Sequence, residues 1–192
     1  MPGPVHVFIA CSLDGFIAGV GDDLSWLPGS GGDDASSEPD RAPEADAADD
    51  HGFGAFFERV GALLMGRRTY DVVRGFEGDW FYGDKPVLVA TSRPLGEPAA
   101  PTVRAVSGSP AELLDVAHEA AGEGIVYVDG GVLIRSFLDA GLIDEMTVSI
   151  IPVILGAGIQ LFAGAARRTR LELLGGGDPS GALVQLRYRP LR

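Results

Sequence analysis

Short apolar runs rich in β-branched residues, separated by turn residues or by segments of helical periodicity, constrain this chain more than any other feature. Val5 to Cys11 (VHVFIAC) is unbroken, the pattern of a strand buried on both faces. Ala62–Met65, Pro86–Ala90, Ile125–Val128 and Glu145–Ile151 repeat it further along. Between them, Phe53, Phe56, Phe57 and Val60 recur at helical spacing and predict a helix from about Asp50 to Val60. A second helix is expected to start near Thr69. Ser109-Pro110-Ala111-Glu112 is a capping box with proline at the first helical position, opening a helix to about Ala121. Val132 to Ala140 is the last helical stretch, after the turn Asp129-Gly130-Gly131. Two more strands, Thr169–Leu174 and Ala182–Tyr188, flank a glycine-rich turn. Strands alternating with helices require parallel pairing with crossovers, and a terminal hairpin adds antiparallel strands. The expectation is an α/β fold with a mostly parallel central sheet and an antiparallel C-terminal hairpin.

The 192 residues suit one domain spanning 1–192. The net charge of −12 argues against nucleic acid, whose phosphates need clustered Lys and Arg. That charge is uneven. From Gly29 to Asp50, eight acidic residues (Asp33, Asp34, Glu38, Asp40, Glu44, Asp46, Asp49 and Asp50) stand against Arg41, so this stretch carries −7 and the remainder −5. Its small, polar composition predicts a flexible acidic insert at about 29–50 rather than a linker between domains. No apolar run approaches the roughly 18–20 residues that span a bilayer. The start Met1-Pro2-Gly3-Pro4 lacks the basic and long apolar regions of a signal peptide. Cys11 is the single cysteine and reads as a small buried hydrophobe, and a cytoplasmic location is the expectation.

Ligands of open α/β sheets bind beyond the carboxyl ends of the strands. Three such ends carry groups suited to phosphate. Gly66-Arg67-Arg68-Thr69 offers a backbone a phosphate can approach, a helix N-terminus and two guanidinium groups. Thr91-Ser92-Arg93 places hydroxyls and an arginine directly after a strand. Gly130-Gly131 sits between strand and helix, where missing side chains leave room for a diphosphate. The G-x-G-x-x-G fingerprint of dinucleotide folds is absent.

With those segments in place, the chain resembles the dihydrofolate-reductase-like superfamily, and within it the reductase domain of the bifunctional riboflavin-biosynthesis deaminase-reductase and its stand-alone bacterial relatives. The resemblance is carried by Ala10 to Ala18 (ACSLDGFIA), Leu64 to Tyr70 (LMGRRTY), Val87 to Pro94, and Asp129 through Gly158. It implies NADPH as cofactor. Ala10 and Ile17 would line the nicotinamide pocket; Gly66, Arg67, Arg68 and Thr69, with Thr91, Ser92 and Arg93 nearby, would meet the diphosphate and the 2′-phosphate. Gly130, Gly131, Val132 and Leu133 would form the turn at the diphosphate. A 2′-phosphate adds about two negative charges near neutral pH, so the arginine pair favours NADPH over NADH. The resemblance also implies a homodimer, for which the apolar Thr147–Leu155 region is a candidate contact.

For the substrate side it implies a small heterocycle, either 5-amino-6-(5-phosphoribosylamino)uracil, as in riboflavin biosynthesis, or a pterin such as dihydrofolate. Asp50 stands where such reductases carry an acidic residue; an N-cap for the helix that begins there is the other reading. Asp14 is an acid at a turn, suited to substrate contact or to bracing the loop. Trp26 is either close to the nicotinamide or a loop anchor, and Ser149 either faces substrate or is a core hydroxyl. His6, His51 and His118 show no metal-ligand spacing, so no metal is expected. A non-catalytic NADP(H)-binding protein of the same fold is the alternative to a reductase.

Overall fold

The computed structural model describes residues 1–28, 51–177 and 183–192. In chain order the elements are β1 (Val5–Ser12), β2 (Phe16–Ala18), α1 (Phe53–Glu58), β3 (Val60–Gly66), α2 (Arg67–Arg74), β4 (Val87–Ala90), β5 (Val103–Val106), α3 (Pro110–Ala121), β6 (Ile125–Asp129), α4 (Gly131–Asp139), β7 (Glu145–Ile151), β8 (Ile159–Gln160), β9 (Leu171–Gly177) and β10 (Val184–Pro190).

One eight-stranded sheet runs β5-β4-β3-β6-β1-β7-β10-β9, and β2 pairs with β8 beside it. Every pairing from β5 to β7 is parallel, while β10 lies antiparallel to both β7 and β9. This is the α/β arrangement expected from the sequence: a mostly parallel sheet with an antiparallel C-terminal hairpin. Side-chain alternation explains why the apolar runs are unbroken. Ala62 and Leu64 of β3, with Val126 and Val128 of β6, face a core filled by Leu113 and Ala117 of α3 and Ile134 and Phe137 of α4. Leu63 and Met65 face the opposite core with Tyr70 of α2, Tyr127 and the phenylalanines of α1. Two cores, one on each side of the sheet, leave no polar face on the central strands. Cys11 is buried in the first of them, and burial pushes its thiol pKa up.

Local signals fix the elements unevenly. The Ser109 hydroxyl and Glu112 carboxylate cap α3 reciprocally, as the motif predicts. Helix α1 is shorter than the expected stretch from Asp50 to Val60: His51 and its N-cap Gly52 both have positive φ, 49° and 81°, which ends helical geometry ahead of Phe53. Helix α2 begins at Arg67, two residues before the expected start. The hairpin strands begin later and run further than expected, β9 into its glycines and β10 to Pro190. Strands β5 and β8 carry no apolar run long enough to read. Of the candidate subunit contact Thr147–Leu155, the part up to Ile151 lies on an interior strand flanked by β1 and β10, with Thr147, Val148, Ser149 and Ile151 buried, while Ile154 beyond it is exposed. No described helix is long and apolar enough to cross a membrane.

Candidate functional site

At the carboxyl ends of β1, β3 and β6 lies a cavity of about 500 Å³, within the range of small-molecule sites. Two helices begin at its rim. Gly66 is the N-cap of α2 and Gly130 that of α4, and neither helix is capped by a side chain. First-turn N–H groups have no intrahelical acceptor, so both rims present donors suited to an anion. A Cβ on Gly66 would meet nothing within 4 Å, so this bend leaves open space above the backbone. The second turn is tight. Gly130 has φ 94°, and a Cβ there would collide with the Thr69 hydroxyl; one on Gly131 would stand 2.9 Å from Ile17 Cδ1. The Gly-Gly pair therefore lets β6 turn into α4 with Thr69 and Ile17 packed against it.

Ala10, Ile17, Gly66, Arg67, Arg68, Thr69, Gly130, Gly131, Val132 and Leu133 all line this cavity, drawn from four separate parts of the sequence. Thr91, Ser92 and Arg93 do not. Ala90 reaches the wall, but the chain then turns on itself, the Arg93 N–H donating to the Thr91 hydroxyl at 3.0 Å. Asp14 also stays outside. It accepts from the Ser12 hydroxyl at 2.6 Å and from the N–H groups of Leu155 and Gly156, and these bonds hold its pKa below the usual carboxylate value. Asp14 thus ties the β1–β2 turn to the loop after β7. Trp26 donates its indole N–H to the Asp23 carbonyl. Ser149 is buried on β7 beside Ala10 and accepts from the Gln185 amide at 3.2 Å. Asp50 falls outside the described residues.

The arginines diverge. Arg67 donates through Nε to both carboxylate oxygens of Asp71 and through Nη1 to the Pro94 carbonyl, toward the loop after β4. Arg68 turns the other way, its Nε 2.6 Å from Asp22 Oδ1 on the loop after β2. Asp22 lines the cavity too and was not singled out by sequence reasoning.

Asp129 is the other residue that reasoning passed over. It ends β6 just ahead of the Gly-Gly turn, with Tyr127 beside it on the same face, and it lines the cavity. Burial raises its pKa to about 6, only partly offset by the Gly130 N–H donated to its Oδ1 at 2.7 Å. The available signal was an acid at a strand end directly before glycines. Tyr127 forms the wall with Phe8, donating its hydroxyl to the Phe8 carbonyl at 2.8 Å. Phe8 in turn meets Phe53 edge-on at 5.4 Å between ring centroids. Among the described residues, no group of three His, Cys, Asp or Glu side chains is placed to hold a metal ion.

Comparison with known proteins agrees with this geometry. The profile of the RibD C-terminal domain matches residues 76–176. The YwjB protein of Bacillus subtilis, itself uncharacterised, is 30% identical over 182 residues, 95% of each chain. Among solved structures, a candidate riboflavin biosynthesis protein from Shewanella sp. PV-4 is 34% identical, with a TM-score of 0.76 over 98% of this chain and 99% of that one. Dihydrofolate reductase from Enterococcus faecalis, solved with NADP(H), shares the fold at 16% identity and a TM-score of 0.58, over 100% of this chain and 99% of that one.

Proposed function

The chain belongs to the RibD C-terminal domain family, and from that premise we propose that it is an NADPH-dependent reductase of a small heterocyclic substrate. One observation carries the reading: two uncapped helix N-termini, two arginines and a half-buried carboxyl group surround a single cavity. The rim fits a dinucleotide. Arg67, Arg68 and Thr69 would hold phosphate oxygens together with the N–H groups at the start of α2, and Gly130 to Leu133 would do so at the start of α4. Ala10 and Ile17 would bound the nicotinamide.

NADPH bound there would supply a hydride to a C=N bond of the acceptor, itself being oxidised to NADP⁺. The remaining work belongs to the chain. The electron pair of the reduced double bond settles on nitrogen, which needs a proton. Asp129 holds one at its carboxyl group and is recharged from solvent. A pKa of about 6 keeps a fraction of roughly one tenth protonated at neutral pH, and leaves a group acidic enough to release the proton quickly. Phe8, Ile9 and Tyr127 keep bulk water from the reacting atoms.

The test is direct. NADPH titrated into the protein should show saturable binding by nicotinamide fluorescence, and absorbance at the reduced-cofactor band should fall when a heterocyclic acceptor is added. Asp129→Asn should retain the binding and lose the turnover. Binding with no turnover on pterin or aminopyrimidine acceptors would leave a nucleotide-binding protein without the chemistry.

A further inference from the structure

We propose that the acceptor is a planar heterocycle without a phosphate group. The inference rests on the cofactor reading above and concerns the part of the cavity that the cofactor leaves. Among the described lining residues, Arg67 and Arg68 are the only cations. Both sit at the start of α2, where they serve the dinucleotide, and both are already paired with a carboxylate of the chain. The lining side chains that remain for an acceptor include Phe8, Ile9, Leu24, Val72 and Tyr127, with the carboxyl groups of Asp22 and Asp129.

The polar atoms nearby are committed elsewhere. The Tyr127 hydroxyl donates to the Phe8 carbonyl, and the Ser136 hydroxyl donates to the Leu133 carbonyl. A phosphate monoester carries close to two charges at neutral pH and would lose its hydration against valine and phenylalanine, with no further cation among the described lining residues in return. It would also face the carboxyl of Asp129, which a second anion would push further from ionisation. A flat, uncharged ring meets none of these costs. It can lie against Phe8 and the edge of Tyr127, with ring nitrogens in reach of the Asp129 proton.

A matched pair of acceptors tests this: 5-amino-6-ribosylaminouracil and its 5′-phosphate, which differ only in the phosphate. Equilibrium binding of each to the protein saturated with NADP⁺ is measured alongside kcat/KM with NADPH. The unphosphorylated compound should bind and react better by roughly tenfold or more. Val72→Arg, which adds a cation beside the acceptor, should shift that ratio toward the phosphate by about tenfold. Equal or better binding of the phosphate by the native chain overturns the proposal. So does failure of both compounds to bind while NADPH still binds, an outcome that leaves the cofactor reading intact. Absence of NADPH binding removes the cofactor reading and this inference with it.

Discussion

Arg68 and Asp22 face each other across the mouth of the cavity, 2.6 Å apart, and both line its wall. Asp22 occupies the guanidinium that, on the proposed reading, would meet a cofactor phosphate, and it does so from a backbone at φ 66°, a conformation few non-glycine residues adopt. The pair is partly exposed, Arg68 at 65% and Asp22 at 31%, so water screens it and its own contribution to stability is small. On the cofactor reading its effect on binding would be larger, because Asp22 would have to leave before a phosphate could meet Arg68. Asp22→Asn should therefore tighten NADPH and NADH alike, by about three- to tenfold. Dissociation constants from fluorescence titration check this; unchanged affinity for both would show that Asp22 does not compete.

The divergence of the two arginines separates their roles. Arg68 lies on the side of the Gly130–Gly131 turn, where Ile17 touches Gly131 and β2 leads into the Asp22 loop. Arg67 points to the loop after β4, away from Arg68 and Asp22; on the proposed reading it would meet the 2′-phosphate of the adenosine half. Arg67→Ala should thus weaken NADPH by roughly tenfold or more and NADH little, since a charge-assisted contact to the 2′-phosphate is lost. Arg68→Ala should weaken both about equally. Equal losses for NADPH and NADH in Arg67→Ala would move the 2′-phosphate away from this residue.

Much of this was legible in the sequence, for a physical reason. Strands buried on both faces must be apolar at every position, so β1, β3, β4, β6 and β7 announce themselves, as does the capping box of α3. Strand β5 (VRAV) is a short edge whose middle residues face solvent, and β8 has only two residues, so neither leaves a pattern. Gly66 to Thr69 and the Gly130–Gly131 pair, which line the cavity, stood out by residue type and order alone. What a sequence lacks is convergence in space. Thr91, Ser92 and Arg93 have the same chemistry as Arg67 to Thr69 yet curl away beyond β4, one strand further from the cavity. Asp129 was visible as a turn residue, but its raised pKa comes from burial, which only the assembled fold supplies.

That burial makes a prediction with a definite sign. The carboxyl of Asp129 titrates near 6 in the folded chain and near 3.8 when exposed, so the native state binds the extra proton between those values. Stability from this group is full below about pH 4 and is lost as pH rises through 6. Asp129→Asn keeps the shape without the charge. It should raise stability at pH 7.5 by up to about 3 kcal/mol, and the gain should vanish at pH 4. Thermal melts at the two pH values check this, and a gain independent of pH would contradict it. On the proposed reading, the same variant should lower kcat by roughly a hundredfold or more at pH 6, and the native chain should lose reductase activity as pH rises above 6.

Gly130 offers the sharpest steric test of the rim. Its φ of 94° lies where only glycine is comfortable, and a methyl group there would press on the Thr69 hydroxyl. Gly130→Ala must twist the turn or displace Thr69, at a cost of about 1–3 kcal/mol. Either response changes the start of α4 and the position of Thr69 together, the two places where the diphosphate would sit. Cofactor affinity should fall by at least about tenfold for NADPH and NADH alike. Thr69→Ala separates the two causes: it removes the hydroxyl that the added methyl group would press on. Combined with Gly130→Ala, it should recover part of the lost affinity if crowding at Thr69 is the cause. No recovery in the double variant would place the damage in the backbone of the turn itself.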